Sequence, residues 1–103
     1  MRRAKIDSNQ PDIVTAFEGR GATVQSLARV GDNCPDLLIG IFGINIVAEV
    51  KSHPAGTVAG EPSEGQAEWI KNWRGLAVVV RSLEDVGRVC DMAAARSRKM
   101  ELP

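Results

Sequence analysis

The segment Pro35-Asp36-Leu37-Leu38-Ile39-Gly40-Ile41-Phe42-Gly43-Ile44-Asn45-Ile46-Val47-Ala48-Glu49-Val50-Lys51 decides how the rest of the chain reads. Two runs rich in Ile and Val flank Phe42-Gly43, the pattern of two strands, Asp36 to Ile41 and Ile44 to Lys51, joined as a hairpin. With a turn symmetric about Phe42-Gly43, paired residues have numbers summing to 85, which sets Asp36 opposite Glu49. Side chains directly opposite one another on a sheet have Cβ atoms about 4.5–5.5 Å apart, and like charges so placed destabilise it unless something positive lies between them. Lys51, two residues past Glu49, points to the same face. The other face carries Leu37, Ile39, Ile46, Ala48 and Val50, all apolar. One face is built for packing, and three ionisable groups interrupt the other.

Working outward, Gly31-Asp32-Asn33-Cys34-Pro35 is a strong turn signal, and Ala22 to Val30 before it reads as a strand. Asn9 to Arg20 reads as the first helix, with Asn9 as N-cap, Pro11 in the first turn, an apolar stripe of Ile13, Ala16 and Phe17, and Gly19 and Gly21 as the stop. On the other side, His53 to Pro62 is a polar loop containing Gly and Pro. Ser63 opens a second helix on which Gln66, Trp69, Ile70 and Trp73 share a face, and Gly75 ends it. Leu76 to Val80 is a short apolar strand suited to a buried position. Ser82 and Asp85 resemble a capping box, ahead of a last helix with Leu83, Val86, Cys90 and Ala93 on one face. The order α-β-β-β-α-β-α predicts an α/β fold, a mixed sheet flanked by helices.

The length of 103 residues predicts a single domain, 1–103, with one modest core. No run approaches the roughly 18 apolar residues that span a bilayer, so no membrane partner is expected. Met1-Arg2-Arg3-Ala4-Lys5 leads into polar residues instead of an apolar segment, which is not a signal peptide and leaves the cytoplasm as the expected compartment. Cys34 and Cys90 are too few for a four-ligand metal site and are expected to be reduced, space-filling thiols. The formal net charge is zero, against indiscriminate polyanion binding. The positive charge is clustered nonetheless, in Arg2, Arg3 and Lys5 at one end and Arg96, Arg98 and Lys99 at the other.

Opposed carboxylates suit a hard cation such as Mg²⁺ or Mn²⁺, which keeps waters for substrate oxygens, polarises a phosphoryl oxygen and acidifies a bound water. Lys51 adds a compact positive charge for the transition state or the attacking hydroxide. Pro35-Asp36, twelve intervening residues, then Glu49-Val50-Lys51 resembles the motif of the PD-(D/E)XK nuclease superfamily. The order of elements is similar to that superfamily's restriction-endonuclease-like α-β-β-β-α-β core. The Gly31 to Asp36 turn, Glu49 to Lys51 and Gln66 resemble its virus-type replication–repair (VRR-NUC) branch, near which small phage nucleases and Holliday-junction-resolvase-like proteins lie. The resemblance implies Asp36 and Glu49 as metal ligands with the Val50 carbonyl, Lys51 as the catalytic lysine, and Gln66 near the site, orienting Lys51 or a phosphate. Gln66 has a second reading, as the partner of Ser63 in a capping box. One departure stands: relatives often carry a glutamate early in the first helix, and among Asn9, Gln10 and Asp12 none is a clear substitute.

His53 reads as solvated, with a proton shuttle as the alternative. Trp69 and Trp73 read as core residues, with base stacking as the alternative. Arg29 and Arg81, at strand ends, read as exposed arginines with no definite role, with phosphate contact as the alternative. The functional expectation is a Mg²⁺- or Mn²⁺-dependent DNA endonuclease, acting as a homodimer on branched or junction DNA, with Leu76 to Ala95 supplying the apolar surface for association. The competing expectation is a catalytically inactive nuclease-fold module for nucleic-acid binding or assembly. A small-molecule enzyme lacks support, since there is no Gly-rich phosphate loop, nucleophile elbow or metal-ligand histidine pair.

Overall fold

The structure, a computed structural model, describes residues 7–100. The basic cluster at Arg2, Arg3 and Lys5 lies outside the described residues. The chain runs α1 (Gln10–Gly19), β1 (Thr23–Ser26), β2 (Leu37–Ile41), β3 (Ile44–Val50), α2 (Glu64–Asn72), β4 (Leu76–Val80) and α3 (Leu83–Met100). It is an α/β fold with a four-stranded mixed sheet in the order β1-β2-β3-β4. The first two pairings are antiparallel and β3 with β4 is parallel. A parallel pair needs a crossover of a dozen or more residues, and α2 lies within the segment that makes it.

The β2–β3 register is the one the residue numbers predict, from Leu37 against Ala48 to Ile41 against Ile44. Phe42 and Gly43 both take positive φ, 54° and 75°. Two consecutive left-handed residues make the two-residue turn whose twist matches the flanking strands. That register sends Leu37, Ile39, Ile46, Ala48 and Val50 into the core, where they meet Ile13 and Phe17 of α1 and Val86, Cys90 and Ala93 of α3.

Several elements differ from the sequence-based expectation. β1 stops at Ser26 instead of reaching Val30. The Ser26 hydroxyl accepts from the Ala28 amide and the Val30 amide donates to the Leu27 carbonyl, so the chain turns where a strand was predicted. Asn9 holds the N-cap position of α1 without capping it. β4 is an edge strand, with only Val80 fully buried. α2 buries none of its residues, so Trp69 and Trp73 are not core residues. Leu83 is exposed at the start of α3. Val86 and Val89, expected to contribute to an association surface, are buried, and Met92 packs partly against the same core. The apolar residues of α3 are taken up by its packing against α1 and the sheet.

Candidate active site

Asp36 leaves the Gly31–Pro35 turn just ahead of β2, and Glu49 sits one residue before the end of β3. The register, carried one pair beyond Leu37 and Ala48, sets them opposite one another, and the charge of Asp36 acts on Glu49. One oxygen of Asp36, Oδ2, accepts from the Val50 amide at 2.7 Å, which aims the carboxylate across the hairpin. Glu49 is only 2% exposed, and its Oε1 is buried without a hydrogen-bond partner. Its Oε2 lies 3.5 Å from Lys51 Nζ. Lys51 Nζ also donates to Gln66 Oε1 at 3.2 Å.

Gln66 does both things its two readings require. Its Oε1 accepts from the Ser63 amide at 2.9 Å while the Ser63 hydroxyl accepts from the Gln66 amide, a complete capping box. The cap that starts α2 thus also holds the lysine. Val50 contributes its amide to Asp36, and its side chain is buried in the core.

Burial dominates the electrostatics. Desolvation and the Asp36 charge push the Glu49 carboxyl up to about 7, against the opposing pull of Lys51. Desolvation also raises Asp36, outweighing the Val50 hydrogen bond that lowers it. Cys34, a half-buried free thiol, is raised by burial and then by these two carboxylates.

The groups open into a cleft of about 640 Å³, lined also by Asp7, His53, Val58 and Glu61. Asp7 is a residue sequence reasoning missed. It lies before α1, its Oδ1 accepts from the Ser52 amide at 3.0 Å, and its charge helps to raise Asp36. Its only sequence signal is its place three residues ahead of the helix, outside the Asn9 to Asp12 stretch where a first-helix acid is expected. Asp12, one of those positions, is exposed. Among the described residues no three Asp, Glu, His or Cys side chains converge as a cation site, so the centre is a pair with an outlying third acid.

Other candidates are spoken for. Asn9 Nδ2 donates to the carbonyls of Lys51 and Arg81, each at 3.1 Å, and its Oδ1 accepts from the Ser52 hydroxyl. It ties the ends of β3 and β4 to α1. Arg81 donates to the Gly60 carbonyl and pairs with Glu61 at 3.0 Å, fastening the 53–62 loop beside the cleft. His53 is exposed at the cleft wall and Arg29 is exposed beyond β1. Cys90 is buried in the core.

No protein-family model and no curated protein matches this chain. Among the described residues no helix is long and apolar enough to cross a membrane.

Proposed function

We propose that the chain is a Mg²⁺- or Mn²⁺-dependent endonuclease of the PD-(D/E)XK type, near the VRR-NUC branch, hydrolysing phosphodiester bonds of branched or otherwise structured DNA. The observation that carries this reading is the buried Glu49 carboxylate, facing Asp36 across the hairpin with one oxygen unpartnered and an ammonium on the other. An uncompensated buried carboxylate oxygen is costly, and a cation is the group that would satisfy it. The donors fit: Asp36 and Glu49 would hold the cation with the Val50 carbonyl, and Asp7 supplies further negative charge at the rim. A hard divalent cation there supplies Lewis acidity toward a phosphoryl oxygen and toward the attacking water.

The chain's own groups do the rest. Lys51, held by Glu49 and Gln66, places a positive charge where negative charge grows as water adds to phosphorus and the P–O bond to the leaving strand breaks. The capping box keeps Gln66 from following solvent, so the lysine is positioned before substrate arrives.

The test is incubation with labelled duplex, single-stranded, flap and four-way-junction DNA, with and without Mn²⁺. Cleavage should require the cation and vanish in Asp36→Asn and Glu49→Gln while both variants stay folded. Near wild-type cutting by either variant would place the chemistry elsewhere. That only two carboxylates converge among the described residues favours one second reading, a nuclease-fold module that binds nucleic acid without cutting it. Calorimetry with Mn²⁺ separates the two, since such a module needs no cation at Asp36 and Glu49.

A further inference from the structure

The chain's two tryptophans, Trp69 and Trp73, lie outside the core. Their rings stack with centroids 4.7 Å apart and planes 14° from parallel. Trp73 is 48% exposed, and no residue of α2 is fully buried. Both rings line a hollow of about 330 Å³ whose only charged lining residues are Asp32 and Glu68. Stacked aromatic surface and negative charge therefore share one opening, with no cation in its lining.

The hollow is built from two elements that the fold holds together. One wall is α2. The other is the turn Gly31-Asp32-Asn33, where three consecutive residues take positive φ, 76°, 54° and 64°. Asp and Asn tolerate that conformation better than most residues with side chains. The Cys34 amide closes the turn by donating to the Gly31 carbonyl at 3.0 Å. Asn33 rests its side chain against α2 at Gly65, where a Cβ would come within 2.6 Å of the Asn33 amide nitrogen. Asp32 is thereby kept in one lining with Glu68 and the indoles. On α2, Asn72 Nδ2 donates to Glu68 Oε1 at 3.2 Å and steadies that carboxylate. Among the described residues neither Asp32 nor Glu68 meets a cation.

The geometry points to a docking site for a cationic side chain, an arginine on a basic segment of a partner protein. An indole face attracts a cation through its quadrupole, and a guanidinium stacks flat upon it. The carboxylates complete the recognition, since the guanidinium fork offers them charge-assisted hydrogen bonds. Other occupants match less of the lining. A polyanion meets two like charges, and a hard metal ion leaves the indoles without a role. The turn leads through buried Pro35 to Asp36, and α2 carries Gln66, so an occupant bears on both elements beside the cleft. That consequence rests on the nuclease reading; the docking itself does not.

Because Trp69 and Trp73 are the whole tryptophan complement, intrinsic emission reports on the hollow directly. The capped peptide Gly-Arg-Gly-Arg-Gly, titrated into the full chain in metal-free buffer, should shift that emission saturably. Citrulline in place of arginine keeps the shape without the charge and should bind roughly tenfold more weakly. Asp32→Asn with Glu68→Gln removes both charges from exposed positions, while asparagine still suits the turn and glutamine can still accept from Asn72. That folded variant should lose roughly fivefold in affinity for a fluorescein-labelled peptide, read by anisotropy. Equal binding of the citrulline peptide, or wild-type affinity in the charge variant, overturns the site. An emission shift with protein concentration alone, abolished in the charge variant, would make a second copy the occupant and overturn the partner assignment. Peptide binding without Mn²⁺-dependent cleavage leaves the site standing and sinks the nuclease reading. Cleavage without peptide binding does the reverse.

Discussion

Glu49 carries a carboxyl group pushed up to about 7 by burial and by Asp36, and this has a sign that can be measured. A group whose folded value is raised contributes stability that is complete below its unfolded value, near 4.5, and is lost as pH rises through the folded value. The metal-free protein is therefore expected to melt at lower temperature at pH 8 than at pH 5. The loss from this one group is on the order of 2–3 kcal/mol. Glu49→Gln should remove most of that slope and raise the melting temperature at pH 8, and Mn²⁺ should flatten the slope in the wild type. A variant with the wild-type slope would show that Glu49 is not the buried acid responsible. Lys51 carries a different expectation, because its charge acts on the transition state more than on the bound cation. Lys51→Ala should lose roughly two or more orders of magnitude in cleavage rate. Calorimetry should find Mn²⁺ affinity retained, and its loss would make Lys51 a structural partner of Glu49 only.

The elements that place these residues are joined by one amide side chain. Asn9 reaches the carbonyls of Lys51 and Arg81 together, so the parallel ends of β3 and β4 stay in step beside the cleft. Asn9→Ala should destabilise the protein by about 1–3 kcal/mol, since two carbonyls lose their donor at once. Asn9→Asp should be worse, because it sets a negative charge against the same carbonyls. Thermal melts check both, and an aspartate variant as stable as wild type would contradict the contact. The hairpin was legible from residues alone because strand period and a two-residue turn leave one register, and that register opposes Asp36 and Glu49. Asn9 was legible only as a helix cap, since its partners are more than forty residues away. The tryptophans misled for a related reason. Helical spacing marks a shared face, but among the described residues none of α2 is fully buried, and periodicity carries no information about what lies opposite. Asp7 was missed because a carboxylate ahead of a helix is ordinary until the fold brings it to β3.

At the scale of the molecule, size limits what one copy can do. The whole surface is 7093 Å², and a specific protein–DNA interface takes about 1,000–2,500 Å² of it. With its 13 Lys and Arg balanced by 13 Asp and Glu, one copy has no excess positive charge to spread over such an area. Two copies about a twofold axis would present two clefts to two strands, the arrangement a four-way junction offers. Light scattering at micromolar concentration should therefore find a dimer, and junctions should be cut faster than plain duplex. A monomer that cuts both alike would end this part of the proposal. The association surface cannot be the buried row of α3, so a dimer must use other residues, among them Leu83 and Met100, the exposed large apolar residues of that helix.

β4 sits at the open end of the sheet and reads Leu76-Ala77-Val78-Val79-Val80, with no charge, proline or glycine among its five residues. Such a segment is an efficient seed for cross-β stacking once it is released, and the native fold restrains it through one neighbouring strand. Heating should therefore drive precipitation as well as unfolding, and the apparent melting temperature should move with scan rate and protein concentration. A lysine in place of Ala77 or Val79 would act as a gatekeeper, restoring reversibility on cooling even if the folded state gained nothing.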